Sequence, residues 1–489
     1  MEAVAGSIVI PPPADPPPMQ LFWHRQDLRL HDNRGLAAAA DAAVDGDDEV
    51  LPVFVFDDDV LAHGSDRRVA FMLDALADLR AAYRERGSDL LVRHGDPSGV
   101  LPDLAFDYDA EAVHWNADYS GLAQERDEVV ADALSIADVE THQHHDAVIH
   151  EPGDIRTNAG NPYQVYTYFW KKWRDRDKPD PFDAPAADRL ADVAGDDLPA
   201  IDAFGFDAPE IDLPEAGHDA ATARLDDFCV ADVYDYAEGR EYPAREGTAR
   251  ISQDFAYGTL GPREAYARTA EALAAAETDD DRESVEEFQS QLAWREFYTQ
   301  VLYFNPEVVS ENYDDYEHPI PWRNNEAEIA AWKAGETGYP IVDAGIRQLK
   351  CEGYVHNRVR MIVASFLTKD LLTDWRVGYR YFREHLVDHD TANDNGGWQW
   401  AASTGTDAQP YFRIFNPQTQ GEKYDPDADY VTAYVPELAD VPAGKIHDWP
   451  DLDAAERADL APNYPDPIVD HGERREAAIE AFEAARGEK

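Results

Sequence analysis

The chain has 489 residues, and 99 Asp and Glu against 43 Lys and Arg give it a formal net charge of −56. Its 44% hydrophobic and 11% aromatic residues exclude a disordered polyanion, and its length suffices for two or three domains with a large core. No apolar run approaches the roughly 18 residues of a membrane span and no secretory signal is visible, so we expect a cytoplasmic protein that does not bind membranes.

The acidic residues are spread along the chain instead of forming a tail, and Lys is scarce beside Arg. This composition resembles that of proteins from salt-in halophiles, in which surface acids keep the protein dissolved in concentrated salt. The net charge therefore says little about binding partners. The two cysteines, Cys229 and Cys351, match no metal or disulfide spacing, so we expect no metal site and a reducing compartment.

The first predicted elements follow a Pro-rich stretch. Residues 1–18 are expected to form a flexible extension or to lie upstream of a true start at Met19. Short apolar strands then alternate with helical segments, which predicts a Rossmann-like α/β domain with a parallel sheet over residues 19–150. No GxGxxG turn is present, so the usual dinucleotide fingerprint is absent. The predicted strands cover 20–24, 50–56, 89–93 and 112–115, and the predicted helices cover 37–43, 68–84 and 124–136.

A linker and a helical domain are predicted for the rest of the chain. Residues 151–224 contain a long stretch that is rich in Asp, Pro and Ala and has weak periodicity, which predicts a surface linker. From residue 225 to residue 489 the apolar spacing predicts an all-α domain. Its clearest helices are predicted at 283–303, 326–334, 341–352 and 357–372, and a charged amphipathic helix is predicted at 472–489.

A first candidate site lies in YAEGREYPAREGTARIS, residues 236–252. Thr248 and Ser252, together with the backbone amides around Gly247, are placed to hold phosphate oxygens at a helix start. An ordinary capped helix is the alternative interpretation of this segment.

A second candidate is the helix EEFQSQLAWREFY, residues 286–298, in which Gln291, Trp294, Arg295 and Tyr298 share one face. An amide, an indole and a guanidinium on one face are suited to bind the edge of a base and an anionic ligand. The alternative is that this face is an aromatic stripe of the core with a buried arginine pair.

A third candidate is VHNRVRMIVASFL, residues 355–367. Asn357 and Met361 share one face of this helix, and Arg360 is expected to pair with one of the acids near Asp388. Such a buried pair can be structural and still border a cofactor.

The most informative segment covers residues 388–417 and reads DHDTANDNGGWQWAASTGTDAQPYFRIFNP. Its acids and amides, its Gly396-Gly397 pair and its tryptophans, Trp398 and Trp400, predict the wall of a site for a flat, polar-edged aromatic ligand. Residues 340–425 carry ten Lys or Arg and eleven Asp or Glu. This near-neutral island suggests a surface compatible with a polyanion or, equally, a buried core with few surface acids.

Together these segments resemble the DNA photolyase/cryptochrome family, and most closely the class I cyclobutane pyrimidine dimer photolyases. The resemblance covers nearly all of residues 19–489. It implies an α/β antenna domain, a helical domain that binds FAD, and light-dependent repair of pyrimidine dimers in damaged DNA. We expect the protein to be a monomer. The motifs that carry it are HRQDLRLHDNRGL, WREFY, TGYPIVDAGIRQL, HNRVRM, DWRVGYRYF and NGGWQWAASTGTDAQPYFRIFNP.

The resemblance also implies roles for individual residues of this chain. It implies that Asp394 lies against the reactive ring nitrogen of the flavin. The implied flavin contacts are Tyr236, Thr248, Ala249, Arg250, Ile251, Ser252, Phe288, Arg295, Arg360, Asp388, Asp390 and Asp394. The implied electron-transfer chain is Trp398, Trp375 and Trp322. The implied lesion pocket is Gln291, Trp294, Asn357, Met361 and Trp400, with Arg240, Arg358 and Arg413 near DNA phosphates.

Two positions depart from the family pattern and keep two alternatives open. Gln291 stands where class I enzymes usually have a Glu, and a Gln at this position is familiar from (6–4) photolyases. Asp394 stands where an Asn is usual, and an Asp at this position resembles plant cryptochromes, which are blue-light photoreceptors. Dimer repair is favoured because the paired histidines of (6–4) enzymes are absent, a long receptor-type C-terminal extension is absent, and both pocket tryptophans are present.

An antenna pigment is expected in the first domain. Residues 115–127, WNADYSGLAQERD, resemble the antenna loop of the family, and Asp118 and residues 23–25 are expected nearby. The segment is closer to members that bind an 8-hydroxy-5-deazaflavin than to members that bind a folate. A surface loop without a pigment is the alternative.

Overall fold

Five parallel strands form the N-terminal sheet of this protein, whose computed structural model describes residues 19–46 and 48–488. The predicted α/β class is confirmed, and the four predicted strands are present to within a few residues. The predicted extension 1–18 lies outside the described residues. The strands are β1 Met19–His24, β2 Glu49–Phe56, β3 Leu91–His94, β4 Ala110–Asn116 and β5 Glu140–His144, in the spatial order β3-β2-β1-β4-β5.

Strand β5 has no counterpart among the predicted strands. Its sequence, ETHQH, contains no apolar residue, and the strand lies at the edge of the sheet beside β4. Alternating apolar residues indicate a strand with one buried face. This edge strand is mostly exposed, so its sequence lacks that pattern.

The two faces of the sheet are buried by different helices, as the two-residue period of a strand requires. On β1, Phe22 packs into a core with Leu36 of helix α1 (Arg34–Gly46) and Leu79 of helix α3 (Asp66–Glu85). Its neighbours Leu21 and Trp23 face the opposite core. The α-helices of the residues that the structure describes are α1 Arg34–Gly46, α2 Asp58–Leu61, α3 Asp66–Glu85, α4 Pro97–Asp107, α5 Gly121–Ile136, α6 Tyr166–Asp175, α7 His218–Val230, α8 Tyr236–Gly239, α9 Ser252–Tyr257, α10 Pro262–Ala275, α11 Asp279–Phe304, α12 Glu326–Ala334, α13 Pro340–Glu352, α14 Asn357–Ser365, α15 Trp375–His385, α16 Thr391–Ala402, α17 Pro417–Tyr424, α18 Asp429–Tyr434, α19 Ala443–His447, α20 Ala454–Leu460 and α21 His471–Ala485.

The C-terminal half is helical, as predicted, and the helix expected at 357–372 is divided. Helix α14 ends at Ser365, a π-helical turn follows at Phe366–Asp370, and Leu372 has a left-handed φ of 47°. The predicted helix at 472–489 is α21. Among the residues that the structure describes, no helix is both long enough and apolar enough to cross a membrane.

Helix α6 lies inside the predicted linker and packs with the helical half. Its Tyr166, Phe169 and Trp173 are buried in one core with Phe288 and Phe297 of α11. Their spacing of three and four residues is that of a helix with one buried face, a signal that the Asp/Pro-rich surroundings mask. The domain boundaries stay a prediction, but part of segment 151–224 builds the core beside the candidate site.

His114 of β4 is buried in the sheet among other histidines. Its Nε2 lies 3.2 Å from Oε1 of Gln20, and its Nδ1 lies 3.4 Å from Nε2 of His144. Burial, with the nearby His142 and His144, lowers the pKa of His114 to about 3. A charged imidazole is therefore disfavoured in the folded protein.

We expect acid to destabilise the fold through His114. An unfolded chain binds the proton near the ordinary pKa of 6.5, but the folded chain does so only near 3. This contribution to the free energy of unfolding is complete above pH 6.5 and falls by about 1.4 kcal/mol per pH unit as the pH drops towards 3. Denaturant titrations at constant salt should give His114→Gln a shallower pH dependence than the unaltered protein. Equal slopes would contradict the assignment.

Candidate active site

Helix α11 supplies one wall of the candidate site. It begins with a capping box, in which Thr278 and Asp281 each accept a hydrogen bond from the other's backbone N–H. Helix α16 crosses it at Gly396, where an added Cβ would lie 2.2 Å from Cδ1 of Tyr298. A close approach at the Gly-Gly pair is thus made by Gly396 to Tyr298, and the approach of a ligand to this pair stays a prediction. An added Cβ on Gly397 would meet nothing within 4 Å.

Arg360 on α14 joins two of the acids that the sequence singled out. Its Nη2 donates to Oδ2 of Asp388 at 2.7 Å, and its Nη1 lies 3.4 Å from Oδ1 of Asp394. Burial alone would lower the pKa of this guanidinium, but the two carboxylates outweigh burial and raise the pKa. The expected pairing of Arg360 with an acid near Asp388 is present in the structure.

Asp394 is held on both of its carboxylate oxygens. Oδ1 faces Arg360, whereas Oδ2 lies 2.6 Å from Nδ1 of His389 and accepts from the backbone N–H of Asp390 at 3.3 Å. Arg295 of α11 approaches the side chain of Asp390 at 3.7 Å. The charged cluster therefore ties α11, α14 and the start of α16 together.

The segment 236–252 reaches this cluster through Tyr354. Arg250 and Arg360 both lie over the ring of Tyr354, 4.3 and 5.6 Å from its centroid. Arg250 has a left-handed φ of 47°, and its side chain pairs with Glu352 at 3.1 Å. The charge of Arg250 is thus directed at Glu352, and Ser252 begins helix α9, as the predicted helix start requires.

The apolar members of the predicted flavin set form a buried floor. The rings of Tyr236 and Phe288 meet edge to face with centroids 5.1 Å apart. Ala249 and Ile251 are buried in the same core, and Thr248 beside them is half-buried. The structure therefore brings residues from α8, α11 and the 248–252 segment to one place.

Several buried polar atoms among these residues have no hydrogen-bond partner in the described part of the chain. Buried polar groups are almost always satisfied, so such a set indicates a polar ligand. The set combines donors with acceptors, which suits a ligand that carries both phosphate oxygens and N–H or O–H groups. The atoms are Ser252 Oγ, Arg295 Nε, Asp388 Oδ1, His389 Nε2 and Asn393 Nδ2.

The predicted lesion residues lie on the same helices but only partly in mutual contact. Trp294 is half-buried and stacks on Tyr166 of α6, with ring centroids 3.6 Å apart and planes at 12°. Trp400 on α16 is also half-buried and lies 6.4 Å from the ring of Phe415. At the start of α14, the exposed Asn357 has its Nδ2 4.0 Å from Sδ of Met361.

Two of the arginines expected at DNA phosphates are paired with acids in the structure. Arg240 pairs with Glu287 and also donates to Oε1 of Gln291 at 3.1 Å. Arg358 pairs with Glu241. The third arginine, Arg413, is exposed.

The three tryptophans of the predicted electron-transfer chain share one core. Trp398 and Trp375 are 4% and 0% exposed, whereas Trp322 is partly buried and packs against the same cluster. Gly378 allows Trp398 to fit, because an added Cβ on Gly378 would lie 2.1 Å from the indole ring. One of the three tryptophans is therefore nearer the surface and the other two are inside.

Comparisons with known proteins agree over almost the whole chain. A family model described as DNA photolyase matches residues 20–186, and one described as the FAD binding domain of DNA photolyase matches residues 288–484. The deoxyribodipyrimidine photo-lyase of Halobacterium salinarum is 62% identical over 483 residues, which are 96% of this chain and 100% of that protein. The chain belongs to the DNA photolyase family.

Solved photolyase structures share this fold. A bacterial class III photolyase from Agrobacterium tumefaciens has a TM-score of 0.88 and 34% sequence identity, over 99% of this chain and 100% of that one. An archaeal photolyase from Sulfolobus tokodaii, solved with two FAD molecules, has a TM-score of 0.81 and 33% identity, over 95% and 100% of the two chains. The predicted photolyase fold, an α/β domain and a helical FAD-binding domain, is confirmed.

Three residues that lie in the candidate site were not predicted from the sequence. Tyr166 was hidden in the predicted linker, although its helical spacing with Trp173 was visible. Glu287 lies one turn before Gln291, so its position beside that residue follows from helix geometry. His389 gave no signal beyond its place between two acids.

The segment 115–127, for which an antenna role is predicted, lies at the carboxyl ends of β1 and β4. The strand order reverses between these strands, and open α/β sheets bind ligands in the crevice at such a point. Arg25 and Arg126 lie over the ring of Trp23, 4.8 and 5.2 Å from its centroid, and Arg25 donates to Asp127 at 2.5 Å. Asp118 accepts from the backbone N–H groups of residues 119 and 120.

Proposed function

We propose that this protein repairs cyclobutane pyrimidine dimers in DNA in a light-dependent reaction. The observation that carries the proposal is the joint presence of a flavin cradle around Arg360 and of Trp294 and Trp400 on the helices that build it. The 62% identity to a deoxyribodipyrimidine photo-lyase supports the same conclusion. The flavin set then forms the floor and the tryptophans form walls for flipped-out bases.

The charged cluster and the residues around Ser252 would hold FAD. Ser252 and the backbone of segment 248–252 suit phosphate oxygens, whereas Arg295, Asp388 and His389 offer donors and acceptors to the rest of the molecule. When bound and reduced, FAD supplies the light-excited electron that opens the cyclobutane ring. The protein's own contribution is to bind, to orient and to exclude water.

The polar edge of a flipped pyrimidine would be read by Gln291. Arg240 can only donate and therefore faces Oε1, whereas Glu287 accepts from Nε2 at 2.9 Å. The amide is thus oriented before a lesion arrives, with its oxygen and nitrogen on defined sides. An oriented amide offers an acceptor and a donor to the edge of a thymine, as a protonated carboxylic acid would.

The electron-transfer chain of Trp398, Trp375 and Trp322 is proposed to restore the reduced flavin. Indoles are the side chains best suited to electron hopping, and these three extend from the buried core to a partly exposed position. This role is separate from repair, because the electron that splits the dimer returns to the flavin.

Asp394 is the residue that supports the photoreceptor alternative, since a carboxylic acid beside the flavin could protonate it. In the structure its oxygens face Arg360, His389 and the backbone N–H of Asp390. Both of its oxygens are thus occupied within the charged cluster, which supports a role in holding the flavin. The (6–4) alternative rests on Gln291 alone.

The antenna pigment is proposed to be of the 8-hydroxy-5-deazaflavin type. The segment 115–127, which is similar to that of the deazaflavin-type members, lies at the carboxyl ends of β1 and β4, where the strand order reverses and open α/β sheets bind ligands. The Sulfolobus tokodaii photolyase was solved with two FAD molecules, so a flavin-like second pigment has a precedent in the family. The absorption band of the purified protein distinguishes a deazaflavin from a folate.

The experiment that tests the proposed function is a repair assay in concentrated KCl. The flavin is reduced chemically, and an oligonucleotide with one thymine dimer is incubated in light and in darkness. We expect intact thymines only in light, and no repair of a matched oligonucleotide with a (6–4) photoproduct. Repair of the (6–4) substrate alone would establish the first alternative. Bound, reduced flavin with no repair of either substrate would leave the photoreceptor.

A further inference from the structure

Two of the arginines assigned to DNA phosphates already have a carboxylate partner. Arg240 pairs with Glu287, and Arg358 pairs with Glu241 and lies over the ring of Tyr424 at 4.3 Å. The arginine side chains are only 18% and 16% exposed, and the acid side chains are 39% and 30% exposed. Each cation is therefore held in place by an acid that solvent can still reach.

The two ion pairs belong to one surface. Arg240 of the first pair and Glu241 of the second are consecutive in the chain, so the two pairs are adjacent. Glu287 also accepts from the amide of the lesion residue Gln291, and Arg358 is the second residue of α14. The pairs thus flank the proposed lesion pocket and are placed where a DNA backbone would run.

Phosphate binding by such arginines differs from binding by free ones. A free arginine that neutralises a phosphate releases a condensed counterion, so the logarithm of the association constant falls by about 0.9 per unit of log salt concentration. An arginine that must leave a carboxylate frees that carboxylate, which takes up a cation from solution. The cation taken up offsets the counterion released, and the contact adds almost nothing to the salt dependence.

We propose that Glu241 and Glu287 act as exchangeable partners that make the Arg240 and Arg358 contacts with DNA nearly independent of salt. The inference rests on the proposed function, which places these arginines against DNA. It gives the two acids a role in a chain with a net charge of −56, where acids beside DNA would otherwise only repel it. The paired arginines should bind DNA more weakly at low salt than unpaired arginines would, because unpaired arginines bind phosphate most strongly there.

The test is the slope of log association constant against log KCl concentration for a dimer-containing oligonucleotide. Glu241→Gln and Glu287→Gln should each steepen the slope by about 0.9, and the double variant by about 1.8. Over a fourfold range of salt, the affinity of the double variant should then change about 12-fold more than that of the unaltered protein. Adding Arg358→Gln to Glu241→Gln should restore the original slope.

Glu437→Gln is the matched control, since Glu437 pairs with Arg347 at a similar exposure, 27% for the acid and 20% for the arginine. Its slope should not change. Arg358→Gln alone gives a second measure, because it should lower the affinity for DNA and leave the slope unaltered. Loss of an ordinary phosphate contact would instead make the slope shallower by about 0.9.

Slopes that do not steepen in the two acid variants would overturn the inference, as would an Arg358→Gln variant with a flatter slope. Circular dichroism and flavin absorbance across the salt range confirm that each variant is folded. Failure of the unaltered protein to prefer dimer-containing over intact DNA would instead contradict the proposed function, so the two failures are distinguishable.

Discussion

Replacing Arg360 by Gln is expected to abolish flavin binding and to lower the free energy of unfolding by about 3–5 kcal/mol. The change removes the partner of Asp388, whose side chain is 3% exposed, and of Asp394, whose side chain is 10% exposed. Two acids would then face each other in a buried site without a cation. The ratio of flavin to protein after purification in concentrated KCl, and urea titrations at the same salt, measure the two effects.

Arg347→Gln is the matched control for this change. Arg347 has the same side-chain exposure, 20%, but its partner Glu437 is 27% exposed and reaches solvent. We expect a loss of at most about 1 kcal/mol and a full complement of flavin. If Arg360→Gln alone does not fold, Arg360→Gln with Asp388→Asn removes one unpaired charge and should fold without flavin. A folded Arg360→Gln protein with stoichiometric flavin would show that the cradle is misassigned.

Replacing Trp398 by Phe is expected to stop photoreduction of the flavin while leaving repair by the chemically reduced protein intact. Phe is much harder to oxidise than Trp but keeps the aromatic packing against Phe382, whose ring centroid lies 5.1 Å away. The smaller ring should cost roughly 1–2 kcal/mol of stability. Absorbance of the oxidised flavin under blue light with an external reductant, and the light-driven repair assay after chemical reduction, separate the two activities.

Trp332→Phe provides the control for the tryptophan chain. Trp332 is 0% exposed and its ring lies 6.2 Å from that of Trp398, but it is not a member of the proposed chain. Its replacement should leave photoreduction unchanged. Normal photoreduction in Trp398→Phe, or its loss in Trp332→Phe, would show that electrons take another route.

Local spacing was enough to predict much of this site. The shared face of α11 followed from helical periodicity. The pairing of Arg360 with an acid near Asp388 followed because a largely buried arginine needs a carboxylate partner. The partners of Arg240 and Arg358 could not be predicted in the same way. Nothing in the local pattern says that Arg358 on α14 reaches Glu241, which lies 117 residues earlier.

The tertiary structure also changed the meaning of single residues. Gly396 was predicted as a point of ligand approach, and the crossing of α11 and α16 also uses it to fit Tyr298. Tyr166 looked like part of a linker, but it stacks on Trp294 and completes a wall of the proposed pocket.

The sequence by itself determined the class of each domain, the family and the residue types of the site, because strands, helices and short motifs are encoded by neighbours along the chain. Only the tertiary structure decided which acid neutralises which arginine and which glycine serves packing. Those contacts join residues far apart in the sequence, and their formation depends on how helices cross and on which charges are buried together.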